Sequence, residues 1–170
     1  MSDITWDEYW MHFAEQAAKR SKCLSRQIGC VIVRDNIILS TGYNGPPKGY
    51  THCGAETGGL CPRKVKGYKS GEHLDECPAT HAEANAIAQA ASIGLRVNGG
   101  ILYINTVTPC KSCMGILINA GISEIVFKVN DSYDTLGLHI AKVCGIKLRY
   151  INQDIIERDK LTFIWDSVRD

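Results

Sequence analysis

No sign of charge dominates this chain: 19 lysines and arginines stand against 18 aspartates and glutamates, a formal net charge of +1. A protein that tracks a polynucleotide usually carries a strong basic excess, so a nucleic-acid polymer is not the expected partner. Long hydrophobic runs are also missing, and no window approaches the length of a membrane span. The opening residues, "MSDITWDEYWMHFAEQ", are acidic and amphipathic. They lack the positive start and apolar run of a signal peptide. Repeats and low-complexity tracts are absent. These absences lead to the expectation of a cytoplasmic protein without a membrane partner. Its 170 residues, 45% hydrophobic and 22% charged, suit one domain over residues 1–170 with a real core.

What the chain does have is cysteine, eight in all: Cys23, Cys30, Cys53, Cys61, Cys77, Cys110, Cys113 and Cys144. In a reducing compartment such clustered thiols serve more often as metal ligands or catalytic groups than as disulfides.

Trp6, Tyr9, Trp10, Phe13 and Ala17 recur at helical spacing, which predicts an amphipathic helix over 5–19 docked by its aromatic face. "IGCVIVRDNIILSTGYN" holds two β-rich runs around Asp35-Asn36, a hairpin signal. Residues 44–79 show no apolar periodicity, and so long an irregular loop needs a function or something to tie it down. A helix over 80–93, a strand at "ILYINTV", and a helix from near Pro109 to "INAG" with Gly121 as its stop come next. They are followed by a strand at "ISEIVF", a helix over 135–144, a strand at "IKLRY" and a last helix over 154–166. From residue 80 this alternation implies parallel strands with right-handed crossovers. The expected class is α/β, a mixed five-stranded sheet with helices on both faces. Cys30, inside the first strand, and Cys144 are expected to be small buried core residues.

Two stretches carry chemistry. In "CPATHAEANAIAQAA", Thr80 and Glu83 read as a capping box, T-x-x-E. That explains Glu83 but not His81. In "TVTPCKSCMGILINAG", Cys110 and Cys113 are three apart at a helix start, where both sulfurs share a face and the helix N-terminus stabilises thiolate. Pro109 suits the first turn. A redox dithiol is the competing reading of C-x-x-C. In a doubly wound sheet, however, both helix starts lie on one edge, where ligands gather. One imidazole and two thiolates would leave a tetrahedral zinc with an open position, the mark of a catalytic site. His-x-Glu followed by Pro-Cys-x-x-Cys is the signature of zinc deaminases acting on cytosine or adenine. His81, Cys110 and Cys113 would hold a metal that lowers the pKa of its water enough to provide hydroxide near neutral pH. Glu83, not a ligand, would move that proton to the ring and help ammonia leave.

At this point the sequence resembles the deoxycytidylate (dCMP) deaminases, especially their phage members. The resemblance rests on "SKC" at 21–23, "STGYNGPP" at 40–47, "HAEANAI" at 81–87, "TPCKSC" at 108–113 and "AGISEIVF" at 120–127, with Tyr133-Asp134 beyond. It implies a three-layer αβα sandwich and hydrolysis of dCMP to dUMP and ammonia, feeding thymidylate synthesis. It implies that Asn44 holds the deoxyribose, with Tyr133 and Thr108 also binding substrate. It further implies a homohexamer activated by dCTP and inhibited by dTTP, each with Mg²⁺, at a regulatory site near Gly45, Lys48, Lys22 and Arg26. Some members carry an arginine in the helix after H-A-E; here that stretch reads "AIAQAAS", with Arg96 only beyond it.

The resemblance also implies a second, structural zinc on Cys23 and Cys53, with His73 and Cys77 completing it and Cys61 able to replace one. A closed four-ligand site would pin residues 44–79, which have no hydrophobic pattern to hold them. Free buried cysteines are the alternative. Two other functions compete with a dCMP deaminase: the same chemistry on tRNA or single-stranded DNA, disfavoured by the charge balance, and a non-catalytic zinc-binding module, which leaves Glu83 only capping work.

Overall fold

A computed structural model describes residues 3–69, 72–129, 131–132 and 134–151. The helix α1 (Trp6–Ala18) opens on the predicted device: Thr5 Oγ1 accepts from Glu8 N at 3.2 Å, and Glu8 Oε2 accepts from Thr5 N at 2.8 Å. Its docking face differs from the expected one. Trp10, Met11, Ala14 and Ala18 are buried, whereas Trp6 is 58% exposed and stacks on Trp10 from outside. The reason is backbone proximity. A Cβ built on Gly29 would lie 2.2 Å from Ala18 N, so the helix sets its small alanines against the sheet at that end, while Trp10 alone of its aromatics is fully buried.

Strands β1 (Gly29–Arg34) and β2 (Ile37–Tyr43) form the hairpin. Asp35 and Asn36 turn it with φ of 52° and 56°, the left-handed pair that a two-residue type I′ turn requires. The long loop contains two short ordered pieces, α2 (Pro62–Val65) and a 3-10 turn (Leu74–Glu76), then leads to α3 (Ala82–Ser92). There follow β3 (Ile101–Ile104), α4 (Lys111–Asn119), β4 (Glu124–Phe127), α5 (Thr135–Cys144) and β5 (Lys147–Tyr150). Strand β3 stops short of the expected Val107. Gly121 and Gly145 adopt φ of 80° and 73° just past α4 and α5, the left-handed exits that only glycine takes without strain. The helix expected over 154–166 lies outside the described residues.

The five strands stand in the order β2-β1-β3-β4-β5. β1 is antiparallel to both neighbours; β3, β4 and β5 run parallel. One face, with Val31, Val33, Tyr103 and Val126, packs on Trp10, Met11 and Ala14 of α1. The other, with Cys30, Ile32, Leu102, Ile104 and Phe127, packs on Ala82, Ala86, Met114, Leu117, Leu138 and Ala141 of α3, α4 and α5. This is the expected three-layer αβα arrangement. Alternation along the strands assigns each side chain to one layer. Cys30 is fully buried as expected, but Cys144 is exposed, because it closes the last turn of α5 on the solvent side. Among the described residues no helix is long and apolar enough to cross a membrane.

Candidate active site and metal centre

The start of α3 is set by a backbone contact rather than by a cap. Thr80 pairs with Gly45 in an isolated bridge, its N–H donating to Gly45 O at 2.8 Å and its carbonyl accepting from Gly45 N at 3.1 Å. Thr80 is therefore extended, and the helix begins one residue later with His81 as its N-cap, without a side-chain cap bond. The expected Thr80–Glu83 capping box is not formed. The consequence is functional: His81 sits on the rim, and Glu83 on the first turn is free to face inward. Gly42 holds this helix start against the sheet, since a Cβ there would lie 2.1 Å from Ala82 O.

Helix α4 begins in the same way. Cys110 is its N-cap and Cys113 its third residue, while Pro109 precedes the cap instead of occupying the first turn. A helix that precedes a parallel strand runs against it, so the first residues of α3 and α4 meet at the C-terminal edge of β3. There His81 Nδ1 lies 3.4 Å from Cys113 Sγ and 3.6 Å from Cys110 Sγ. The three donor atoms all fall within 4.8 Å of one another.

Glu83 is only 5% exposed, and burial pushes its carboxyl above the usual carboxylate range. Cys113 bonds to Cys110, which draws the Cys110 thiol down to about 4 and pushes the Cys113 thiol up. The His81 ring is raised by its bond to Cys110.

A cavity of about 220 Å³ opens over this cluster. It is lined by His81 and Glu83, by Asn44 and Thr108, and by segments of the long loop. Thr108 is buried, and its Oγ1 has no hydrogen-bond partner among the described residues. Asn44 is also buried, but much of its amide is already used. Its Oδ1 accepts from Ser21 Oγ and Ile28 N, both at 2.8 Å, and Nδ2 donates to Arg26 O at 2.9 Å. One Nδ2 proton remains for a ligand. The partner Ser21 went unnoticed in the sequence because nothing local distinguishes a serine that fastens a loop 23 residues away. Tyr133 lies outside the described residues. Lys22 and Lys48 are exposed and do not line the cavity, whereas Gly45 is committed to its bridge with Thr80.

Of the second ligand set, Cys23, Cys53, Cys61 and Cys77 line this same cavity. The Cys53 thiol is raised by burial and then by its neighbours Cys23, Cys77 and Cys61. His73 stands apart: its ring stacks on Tyr68 at 3.9 Å, Nδ1 lies 3.9 Å from Glu76, and it does not line the cavity. Its left-handed backbone, φ 47°, turns the ring outward. Cys61 thus stands where His73 was expected. Among the described residues, no three of these thiols draw within 4.8 Å of one another.

Residues 4–129 match the sequence profile of the cytidine and deoxycytidylate deaminase zinc-binding region. The chain is 39% identical over 145 residues to a deoxycytidylate deaminase of Schizosaccharomyces pombe, covering 85% of this chain but only 44% of the yeast protein. It is 37% identical over 134 residues to the deoxycytidylate deaminase of Mycobacterium phage D29, covering 75% of this chain and 97% of the phage protein. Among solved structures, the dCMP deaminase of cyanophage S-TIM5 in complex with dCMP and dUMP superposes with a TM-score of 0.69. At 24% identity, that match covers 88% of this chain and 100% of the other. That likeness concerns the fold.

Proposed function

The chain belongs to the cytidine and deoxycytidylate deaminase zinc-binding family, and from that premise we propose that it hydrolyses dCMP to dUMP and ammonia. One observation carries the reading: an imidazole and two sulfurs converge beside a buried carboxyl whose pKa is raised, and the imidazole and the carboxyl line one cavity. The donor set fits zinc. Bonds of about 2.0 Å to nitrogen and 2.3 Å to sulfur at a tetrahedral centre separate the two donors by about 3.5 Å. The observed 3.4 and 3.6 Å bracket that value. His81, Cys110 and Cys113 would hold the ion, which supplies a more acidic water near neutral pH.

The chain's own residues do the rest. Glu83 accepts the proton of the water that attacks C4 and delivers it to N3; it then takes the proton of the new C4 hydroxyl and passes it to the amine, so that the C4–N bond breaks, ammonia leaves and the C4 carbonyl forms. A carboxyl with a raised pKa suits this exchange, because it gives and takes a proton at little cost. Thr108 Oγ1 and the remaining Nδ2 proton of Asn44 are the free polar groups that orient base and sugar, and Tyr133 joins them from outside the described residues. The balanced charge supports a free nucleotide over a polymer.

The reading extends to a second, structural zinc on Cys23, Cys53, Cys61 and Cys77, which would draw these thiols together and pin the long loop. It extends also to the family's oligomeric regulation: a cytoplasmic homohexamer answering to dCTP and dTTP with Mg²⁺, at a site drawing on Gly45, Lys48 and Lys22. The test of the reaction is ammonia release from cytidine, CMP, dCMP, dCTP and a short single strand. dCMP is expected to lead the panel by a wide margin. Turnover confined to the single strand, or none at all, overturns the proposal.

A further inference from the structure

Helix α4 cannot cap itself. Its N-cap residue is Cys110, whose sulfur is committed to the cluster with His81 and to the N–H of Cys113. The first helical amide, Lys111 N, is one of the donors that a helix start leaves open. Asp134 meets it from another helix: Lys111 N donates to Asp134 Oδ2 at 2.7 Å. The other oxygen of the same carboxylate, Oδ1, accepts from Gly137 N at 2.9 Å and so caps α5. One side chain thus closes the first turns of two helices, with one oxygen for each. Both bonds lie at the positive ends of helix dipoles, where a carboxylate is favoured.

Two further contacts hold the same junction. A Cβ built on Gly137 would lie 3.0 Å from both Lys111 N and Pro109 O, so the helix starts touch where no side chain fits. Thr108 N also donates to Asp131 O at 3.4 Å. Cys110 immediately precedes the bonded amide, and Cys113 follows it by two residues. A shift in this turn therefore moves both sulfurs against His81, which is carried separately on the start of α3.

Resting on the zinc deaminase reading above, we propose that Asp134 is a positioning residue of the metal centre: its carboxylate ties the first turn of α4 to α5 and so fixes where Cys110 and Cys113 present their sulfurs to His81. It acts through the Lys111 amide and not as a ligand. Donors held in place by their outer partners bind an ion more tightly than donors that must be gathered, so freeing this turn weakens the hold on zinc.

The experiment uses the whole chain. Zinc per chain is followed during titration with a chelator for the parent, Asp134→Asn and Asp134→Ser, and Cys110→Ala identifies which ion belongs to the cluster. Asparagine and serine cap their own helix as well as aspartate does, but neither offers a second oxygen to Lys111 N. Both variants are expected to hold the Cys110-dependent ion about 10- to 100-fold more weakly and to keep any other ion as the parent does. With cobalt in place of zinc, the sulfur-to-metal absorption of that site should change with them. Melting temperatures complete a cycle: the cost of Asp134→Asn should largely vanish once Cys110→Ala has removed the ion. Parent-like retention of that ion in both variants overturns the proposal and leaves Asp134 as the cap of α5 alone. An equal melting cost with and without Cys110 also overturns it, and so does loss of all zinc together, the mark of general loosening. Should the asparagine variant not fold, Asp134→Ser decides by the same readings. A parent that binds no Cys110-dependent ion defeats both this proposal and the metal reading. A parent whose ion depends on Asp134 yet releases no ammonia from dCMP defeats the reaction and upholds the positioning role.

Discussion

Glu83 could have been read as a capping residue, and the fold denies it that role. Thr80, its intended partner, is held extended by Gly45, so the carboxyl is left buried beside two sulfurs and an imidazole with no cap to make. A carboxyl buried beside such donors, its pKa raised by burial, suits the proton transfer proposed for it. Glu83→Gln keeps the shape and removes the proton carrier. It is expected to lower dCMP turnover by about 10²–10⁴-fold while zinc content and melting temperature stay near those of the parent. Normal turnover in that variant sinks the mechanism. The letters H-x-E and P-C-x-x-C were legible along the chain. That Thr108 Oγ1 would be buried without a partner among the described residues was not, because an unmet hydrogen bond is a property of surroundings, not of a residue type.

At the scale of elements, turns and exits were well announced. Asp35-Asn36, Gly121 and Gly145 act within a few residues of themselves, and each sits where its backbone preference predicts. Helix starts were less legible, since α3 and α4 each begin without a side-chain cap, at residues with chemical work to do. The join between α1 and the far edge of the sheet was invisible. Asp7 meets Arg149 of β5 across the chain, Arg149 Nε reaches Glu124 Oε1 at 2.7 Å, and Tyr103 Oη donates to Asp7 Oδ1 at 3.0 Å. The Arg149 bond holds the Asp7 carboxyl below its ordinary value of 3.8. A depressed carboxylate contributes stability that is fully present above the unfolded pKa and is lost as pH falls through the lower folded one. Asp7→Asn is accordingly expected to cost about 2 kcal/mol at pH 7. The gap between variant and parent should begin to narrow below about pH 4 and close only as pH falls past the lower folded value, read by denaturant titration. A gap independent of pH removes the ion pair from the account.

For the molecule as a whole, the three layers bring His81, Glu83, Cys110 and Cys113 to the edge where β3 ends, and segments of the irregular loop line the cavity there. The loop has little core of its own, so the cysteine cluster is expected to bind metal and hold it. Purified protein should contain about two zinc ions per chain. Cys61→Ser should bring the content to about one, while His73→Ala leaves it unchanged. Parent protein with a single zinc removes the structural site, and zinc lost on changing His73 but kept on changing Cys61 restores the histidine as ligand.

Sequence by itself determined the strand–helix alternation, the hairpin and which side chains are the candidates for holding metal and moving a proton. These depend on short-range periodicity, turn chemistry and donor type. Only the tertiary structure decided that His81 would meet sulfurs 29 and 32 residues away. It also decided that Cys61 rather than His73 would face the shared cavity. Those outcomes follow from how parallel crossovers and a bridge at Thr80 bring distant backbone together, which no local preference encodes.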